Sequence, residues 1–250
     1  MGSEMCIRDS YWPVDRRRWG QDRRLAARYF PVFEQMPPTG GSNSPAVRKA
    51  GKRSMRESSL EFLSGGTKCR GTLYTPDASS HALPCIVMAH GFALTHASGL
   101  MPFKRAFCNA GYAVFAFDYR HFGESGGEPR QVLNPWREVE DWLAAANYIR
   151  QADGIDGGRV CLWGTSLAGG LVTVAAATDG SVQCIISQCP MMDGAASVLE
   201  VMRYGGIGQG LRLSYHAARD VLRRVMGMSP HYIGAAGHPG DAKLMTAEDC

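Results

Sequence analysis

Four short apolar runs punctuate the middle of the chain: residues 83–89 (LPCIVMA), 112–117 (YAVFAF), 159–163 (RVCLW) and 182–187 (VQCIIS). They are largely continuous rather than alternating, which is the pattern of a strand covered on both faces. Ahead of them, Leu60 to Leu63 and Cys69 to Tyr74 flank Gly65-Gly66 and read as a hairpin turning on the glycine pair. Between the runs, apolar positions recur at three- and four-residue spacing. Val139, Trp142, Leu143, Ala146 and Ile149 share one helix face, with Asn134 as N-cap and Pro135 at N1. Six strands alternating with helices predict an α/β fold, a mostly parallel sheet with helices on both faces.

The two ends read differently. Residues 1–57 are rich in Arg, Pro, Gly and Ser, with one apolar patch from Tyr29 to Phe33, and are expected to be a disordered basic leader. Glu4 to Ser10 resembles translated sequencing-adapter sequence and contributes nothing to the expected fold. Residues 58–190 form the expected core, and 191–250 an incomplete, helical, cap-like segment. In that segment Ala195 to Met202 and Leu211 to Met226 have helical patterns. Gly205, Gly206, Gly208 and Gly210 between them read as a flexible loop, and no further strong strand is expected before Cys250.

Charge sharpens this division. Residues 1–57 hold 12 Lys/Arg against 6 Asp/Glu, and residues 58–250 hold 15 against 17. The basic excess therefore belongs to the leader, and the body shows no basic face of the kind nucleic acid requires. No apolar run approaches 18 residues and the N-terminus has no apolar signal segment, so neither a membrane partner nor secretion is expected. The eight cysteines form no C-x-x-C pair. Cys85, Cys161 and Cys184 fall in apolar runs, as small buried hydrophobes do, and suggest a reducing, cytoplasmic setting.

Chemistry concentrates where strands end. Gly164-Thr165-Ser166-Leu167-Ala168-Gly169-Gly170 follows one buried strand and opens a helix rich in small residues. A serine presented on a sharp strand-to-helix turn needs small residues two before and two after it, so that strand and helix can approach. Ala168 stands where glycine is usual, a mild departure. A P-loop is excluded because Gly170-Leu171 stand where Lys and Ser/Thr are required, and the dinucleotide motif fails at Ser166. His90-Gly91-Phe92 follows the strand at 83–89. Backbone N–H groups in such a loop can stabilise an oxyanion, and Phe92 is positioned for that beside Leu167, the residue after the serine. Asp118-Tyr119-Arg120, Gly123 and Ser125 follow the strand at 112–117.

This order of segments, each after a buried strand, resembles the α/β-hydrolase superfamily over roughly residues 58–230. It is most similar to the bacterial esterase-like and Xaa-Pro dipeptidyl-peptidase-like serine hydrolases. The resemblance implies a three-layer α/β-hydrolase fold and cleavage of an ester, thioester or amide through an acyl-enzyme on Ser166. Phe92 and Leu167 would be the oxyanion donors, and His90, Gly91 and Asp118, with Arg120, Gly123 and Ser125, a supporting loop. It implies a small-molecule acyl substrate and no cofactor.

A serine nucleophile needs a histidine base and an acid to orient it, in the chain order serine, acid, histidine. The resemblance implies an acid after a seventh strand and a histidine after an eighth. Only six strands are counted, so the C-terminal strands are expected to be missing and the chain to be a fragment, nearly inactive and prone to aggregate. Asp193, followed by His216, His231 or His238, is the internal alternative, whereas His90, His96 and His121 precede the serine and break the order. Met191, Met192, Met202 and Tyr204 are candidates for an apolar acyl pocket. No H-E-x-x-H or Cys/His cluster indicates a metal. The competing functional reading is a non-catalytic binding or scaffold member of the fold; the oligomeric state is left open.

Overall fold

The computed structural model describes residues 54–77, 81–238, 241 and 243–245. The expectations for residues 1–53, including the Tyr29–Phe33 patch, fall outside the described residues, as does Cys250.

The hairpin forms from β1 (Met55–Ser64) and β2 (Thr67–Pro76), and β1 begins three residues before the expected start of the core. The apolar runs become β3 (Leu83–Ala89), β4 (Ala113–Phe117), β5 (Ile155–Thr165) and β6 (Cys184–Gln188). They build one six-stranded sheet in the order β1-β2-β4-β3-β5-β6. The hairpin joins antiparallel, and β4, β3, β5 and β6 run parallel.

Alternation along each buried strand sends side chains into two separate cores. Val87, Phe115, Phe117 and Leu162 face one side, where Trp142, Ile149, Leu171 and Val172 cover them. Ile86, Met88, Val114, Ala116 and Trp163 face the other, under Leu100, Phe107 and Cys108. The covering helices are α1 (Met101–Asn109) on one side, and α2 (Pro135–Arg150) and α3 (Leu167–Thr178) on the other. This is the expected three-layer arrangement. The expected cap of α2 is also present, with the Arg137 N–H donating to Asn134 Oδ1 at 3.2 Å.

Three expectations are corrected. Residues 194–225 form one helical run, α4 (Gly194–Val225), interrupted at Gly206 alone, where φ is 72° and ψ 176°. A flexible four-glycine loop is thus replaced by a single-residue kink, since the flanking turns keep helical geometry. Two three-residue strands, β7 (Gly234–Ala236) and β8 (Lys243–Met245), pair parallel in a sheet of their own. Cys161 and Cys184 are joined as a disulfide, because the β5–β6 register sets them opposite each other with Cα atoms 4.8 Å apart. Cys69, Cys85 and Cys108 are buried free thiols. Much of α4 is open to solvent, including Leu199, Ile207, Leu211 and Tyr215. No helix among the described residues is long and apolar enough to cross a membrane.

Candidate active site

In parallel strands all C-terminal ends open on one side of the sheet, which is where α/β proteins place their sites. β3, β4, β5 and β6 end at Ala89, Phe117, Thr165 and Gln188, so the segments beginning at His90, Asp118, Ser166 and Cys189 emerge together. β3 lies directly between β4 and β5, which makes the His90 loop a neighbour of both.

Ser166 sits between β5 and α3 with φ 56° and ψ −122°, a conformation rare for a residue with a side chain. Its surroundings hold it there. The Ser166 N–H donates to Gln188 O at 3.0 Å, and the Met191 N–H donates to Ser166 O at 2.9 Å. The Ser187 hydroxyl reaches Gly169 O at 2.7 Å. The sharpness of the turn also explains Gly164, since a Cβ there would run into the Ala168 carbonyl. Leu167 and Ala168 open α3 and are buried, and Ser166 itself is 7% exposed.

Asp118 lies under the His90 loop, fully buried. Its Oδ1 accepts the His96 N–H at 2.6 Å, and its Oδ2 accepts the Glu124 N–H at 3.1 Å and lies 3.0 Å from His96 Nδ1. Burial pushes the Asp118 carboxyl up, but hydrogen bonds from the His96 side chain and backbone and from Glu124 outweigh it, leaving the pKa lowered. Gly123, at φ 48°, is where the chain turns back over this carboxylate; a Cβ would occupy the Asp118 Oδ2 position. The Ser125 hydroxyl donates to Asp118 O at 2.6 Å and accepts the Arg70 N–H at 2.8 Å. Arg120 ties the same loop to α2 through Asp141, with Nε donating at 2.8 Å and the backbone N–H at 3.0 Å, and to β1 through Ser64.

His90 is buried against the Tyr119 ring, with centroids 4.6 Å apart. Its Nδ1 lies 2.9 Å from Gly91 O, and its Nε2 is 3.8 Å from Asp118 Oδ1. Desolvation pulls its pKa down to about 4, against smaller opposing effects of Gly91 and Asp118, so the ring is neutral at physiological pH. Phe92, partly buried, packs against the core beside it.

The remaining sequence candidates have the following partners. The Asp193 carboxylate caps α4, accepting the Ala196 N–H at 3.0 Å. His216 and His231 face each other, Nδ1 to Nε2 at 2.7 Å, with the His231 N–H donating to Asp220 Oδ1. Met191 reaches the turn at Ser166 through its backbone, whereas Met192 and Met202 are exposed. The side chain of Tyr204 lies outside what the structure describes. No grouping of three metal-ligating side chains occurs among the described residues.

Sequence reasoning did not single out Lys104. It is 1% exposed, and its Nζ donates to His96 O at 2.7 Å and to the Tyr74 hydroxyl at 3.4 Å. Burial lowers its pKa to about 8, against the nearby Asp118 and Glu57 charges. The signal was present: Lys104 shares a helical stripe with Leu100, Phe107 and Cys108, where an apolar residue is expected.

Comparison with known proteins identifies the family and the fold. The profile of X-Pro dipeptidyl-peptidase (S15 family) matches residues 65–222. The "Quorum-quenching protein AidA" of Acinetobacter baumannii (strain MDR-ZJ06) is 40% identical over 190 residues, covering 76% of this chain and 61% of the relative. "Thiohydrolase aneE" of Aspergillus aculeatus (strain ATCC 16872 / CBS 172.66 / WB 5094) is 39% identical over 137 residues, covering 54% and 42%. The chain thus spans about three-fifths or less of the length of these relatives. Among solved structures, the alpha/beta hydrolase GrgF from Penicillium sp. sh18 superposes with a TM-score of 0.61 at 24% identity, covering 74% of this chain and 61% of that one. Hypothetical protein PA2218 from Pseudomonas aeruginosa superposes with a TM-score of 0.58 at 23% identity, covering 77% and 61%. These two likenesses carry the fold.

Proposed function

From the premise that the chain belongs to the X-Pro dipeptidyl-peptidase (S15) family and has the α/β-hydrolase fold, we propose that it is the core of a serine hydrolase with Ser166 as nucleophile. The observation that carries the proposal is the strained backbone of Ser166, at φ 56°, between a buried parallel strand and a helix N-terminus. Strain of this kind persists only where the surroundings impose it, and it is characteristic of sites that must present a side chain.

In this reading Ser166 Oγ attacks the carbonyl carbon of an ester, thioester or amide. The backbone N–H groups of Leu167 and Phe92 receive the developing oxyanion, the leaving group departs, and water releases the acyl group. The substrate is a small acyl compound. A thioester is favoured among the three by the relatives named thiohydrolases. The proton of Ser166 requires a histidine. Asp193 serves as a helix cap, and His216 and His231 engage each other, so the proposal gives none of them the triad roles. It assigns the acid and base to sequence beyond that described here, in a protein as long as its relatives.

The test is covalent labelling with a fluorophosphonate, followed by peptide mapping, beside turnover of an acyl thioester and a p-nitrophenyl ester. Label on Ser166, with Ser166→Ala abolishing both label and turnover, is the expected result. In a complete triad enzyme, losing the serine costs about six decades in kcat. A folded protein that binds acyl compounds without acquiring label would instead be a non-catalytic member of the fold.

A further inference from the structure

We infer that Lys104 and His96 are positioning residues for the oxyanion donor at Phe92, acting through the loop between β3 and α1. The inference rests on the serine-hydrolase reading above and extends it to residues outside the nucleophile turn. The loop runs from His90 to Leu100, and Phe92 lies within it, between two histidines set close to one carboxylate. At one flank, His90 Nε2 points at Asp118 Oδ1 from 3.8 Å. At the other, His96 is held through both its backbone polar groups, with its ring close to the same carboxylate. Its N–H donates to Asp118 Oδ1 at 2.6 Å, its Nδ1 lies 3.0 Å from Asp118 Oδ2, and its carbonyl accepts from Lys104 Nζ at 2.7 Å.

Lys104 and Asp118 therefore grip His96 from opposite sides, a buried ammonium on its carbonyl and a buried carboxylate on its amide. Burying a lysine on an apolar helix face is costly, and hydrophobic packing alone would be served better by leucine or methionine. What the charge contributes is a fixed address for His96. The Tyr74 ring lies 4.9 Å below the Lys104 ammonium and helps to hold it. Shifts of about 1 Å in a catalytic group can cost about 100-fold in rate, so the placement of the Phe92 N–H has direct kinetic value.

The experiment uses the protein at the length of its relatives, with its acid and base, and compares the parent with Lys104→Met, His96→Ala, His96→Asn and, as control, Arg105→Met, which removes a neighbouring exposed charge from α1. The probe is a fluorophosphonate. Ser166 Oγ forms the bond to phosphorus, the P–F bond breaks, fluoride leaves, and the serine proton passes to the histidine base. Its phosphonyl oxygen takes the place of the substrate carbonyl oxygen. Saturation of the labelling rate separates KI from kinact, and amide hydrogen exchange is read over residues 91–98 and, as a check on folding, over 113–117. The expected result is a kinact about 10–100-fold lower for Lys104→Met and His96→Ala, with KI unchanged. Exchange should be faster in 91–98 only. His96→Asn, which can restore a donor near the Nδ1 position, should recover most of the rate, and Arg105→Met should match the parent.

An unchanged kinact for both Lys104→Met and His96→Ala overturns the inference while leaving Ser166 as nucleophile. So does equal loss in His96→Ala and His96→Asn. If Lys104→Met fails to fold, the two His96 variants decide. If the parent protein at the length of its relatives takes no label on Ser166, the hydrolase reading fails and this inference falls with it. Mapping the label on the parent separates that outcome from all the others.

Discussion

A single side chain or its absence decides several features at the residue scale. Gly164 is required because the turn that strains Ser166 also brings the Ala168 carbonyl to where a Cβ would be. We expect Gly164→Ala to destabilise the protein by about 1–3 kcal/mol, as overpacking does, and to lower the labelling of Ser166 further than the stability loss explains. Thermal melting and labelling rates, measured on the same samples, check this; a variant as stable as the parent would show that the turn can relax. Ser166 and Gly164 were legible because the motif is local, four or five residues with a fixed backbone consequence. Lys104 and His96 were not, because their meaning lies in contacts across the fold. His96 meets Asp118 from 22 residues away, and Lys104 meets Tyr74 from 30. Preceding the serine in the chain excludes His96 as a triad base but not as a positioning residue.

At the scale of elements, hydrophobic runs located the strands well, because a strand covered on both faces has no polar positions to blur it. β3 to β6 were legible in this way, the hairpin from its Gly65-Gly66 turn and the cap of α2 from Asn134-Pro135. The α4 segment was harder, since four glycines in six residues outweigh helix periodicity in a local reading, whereas only Gly206 leaves helical geometry. The Cys161–Cys184 pairing required knowing which strands are neighbours and in what register. The loop after β4 is anchored to α2 by Arg120 and Asp141, which are 7% and 0% exposed at the side chain. Removing one member of a buried ion pair leaves the other charge uncompensated. Asp141→Asn should therefore cost about 3–5 kcal/mol in denaturant unfolding, whereas Glu140→Gln, on the exposed partner of the same guanidinium, should cost under ~1 kcal/mol. Equal effects of the two would refute the anchoring role given to Asp141.

At the scale of the whole molecule, two buried groups near the site set opposing pH trends. Burial pushes Glu138 up from 4.5 to about 8, with the Asp141 charge adding to the shift, and its Oε2 finds no hydrogen-bond partner. His90 is pulled down from 6.5 to about 4. For Glu138 the unfolded chain releases its proton near pH 4.5 and the folded protein only near 8, so stability falls as pH rises between those values. For His90 the unfolded chain gains a proton below 6.5 and the folded protein only near 4, so stability falls as pH drops through that interval. Each proton contributes a slope of about 1.4 kcal/mol per pH unit. Between pH 4.5 and 6.5 the two slopes cancel and the profile should be flat. From 6.5 to 8 only the Glu138 slope remains, a loss of roughly 2 kcal/mol. Glu138→Gln should flatten that limb and, with the cancelling slope removed, uncover the His90 rise in stability between pH 4.5 and 6.5. Burial also raises the Asp141 carboxyl, so an undiminished alkaline slope in Glu138→Gln would transfer the effect to Asp141. Urea unfolding at half-unit intervals from pH 4 to 8 measures both limbs. Between pH 8 and about 9 the direction changes for Lys104, whose lowered pKa makes the folded state lose its proton before the unfolded chain does and adds stability; above 9 the Cys69, Cys85 and Cys108 thiols, pushed up by burial, ionise first in the unfolded chain and reverse the trend. An upturn there that is absent in Lys104→Met would tie the ammonium gripping His96 to the stability of the whole molecule.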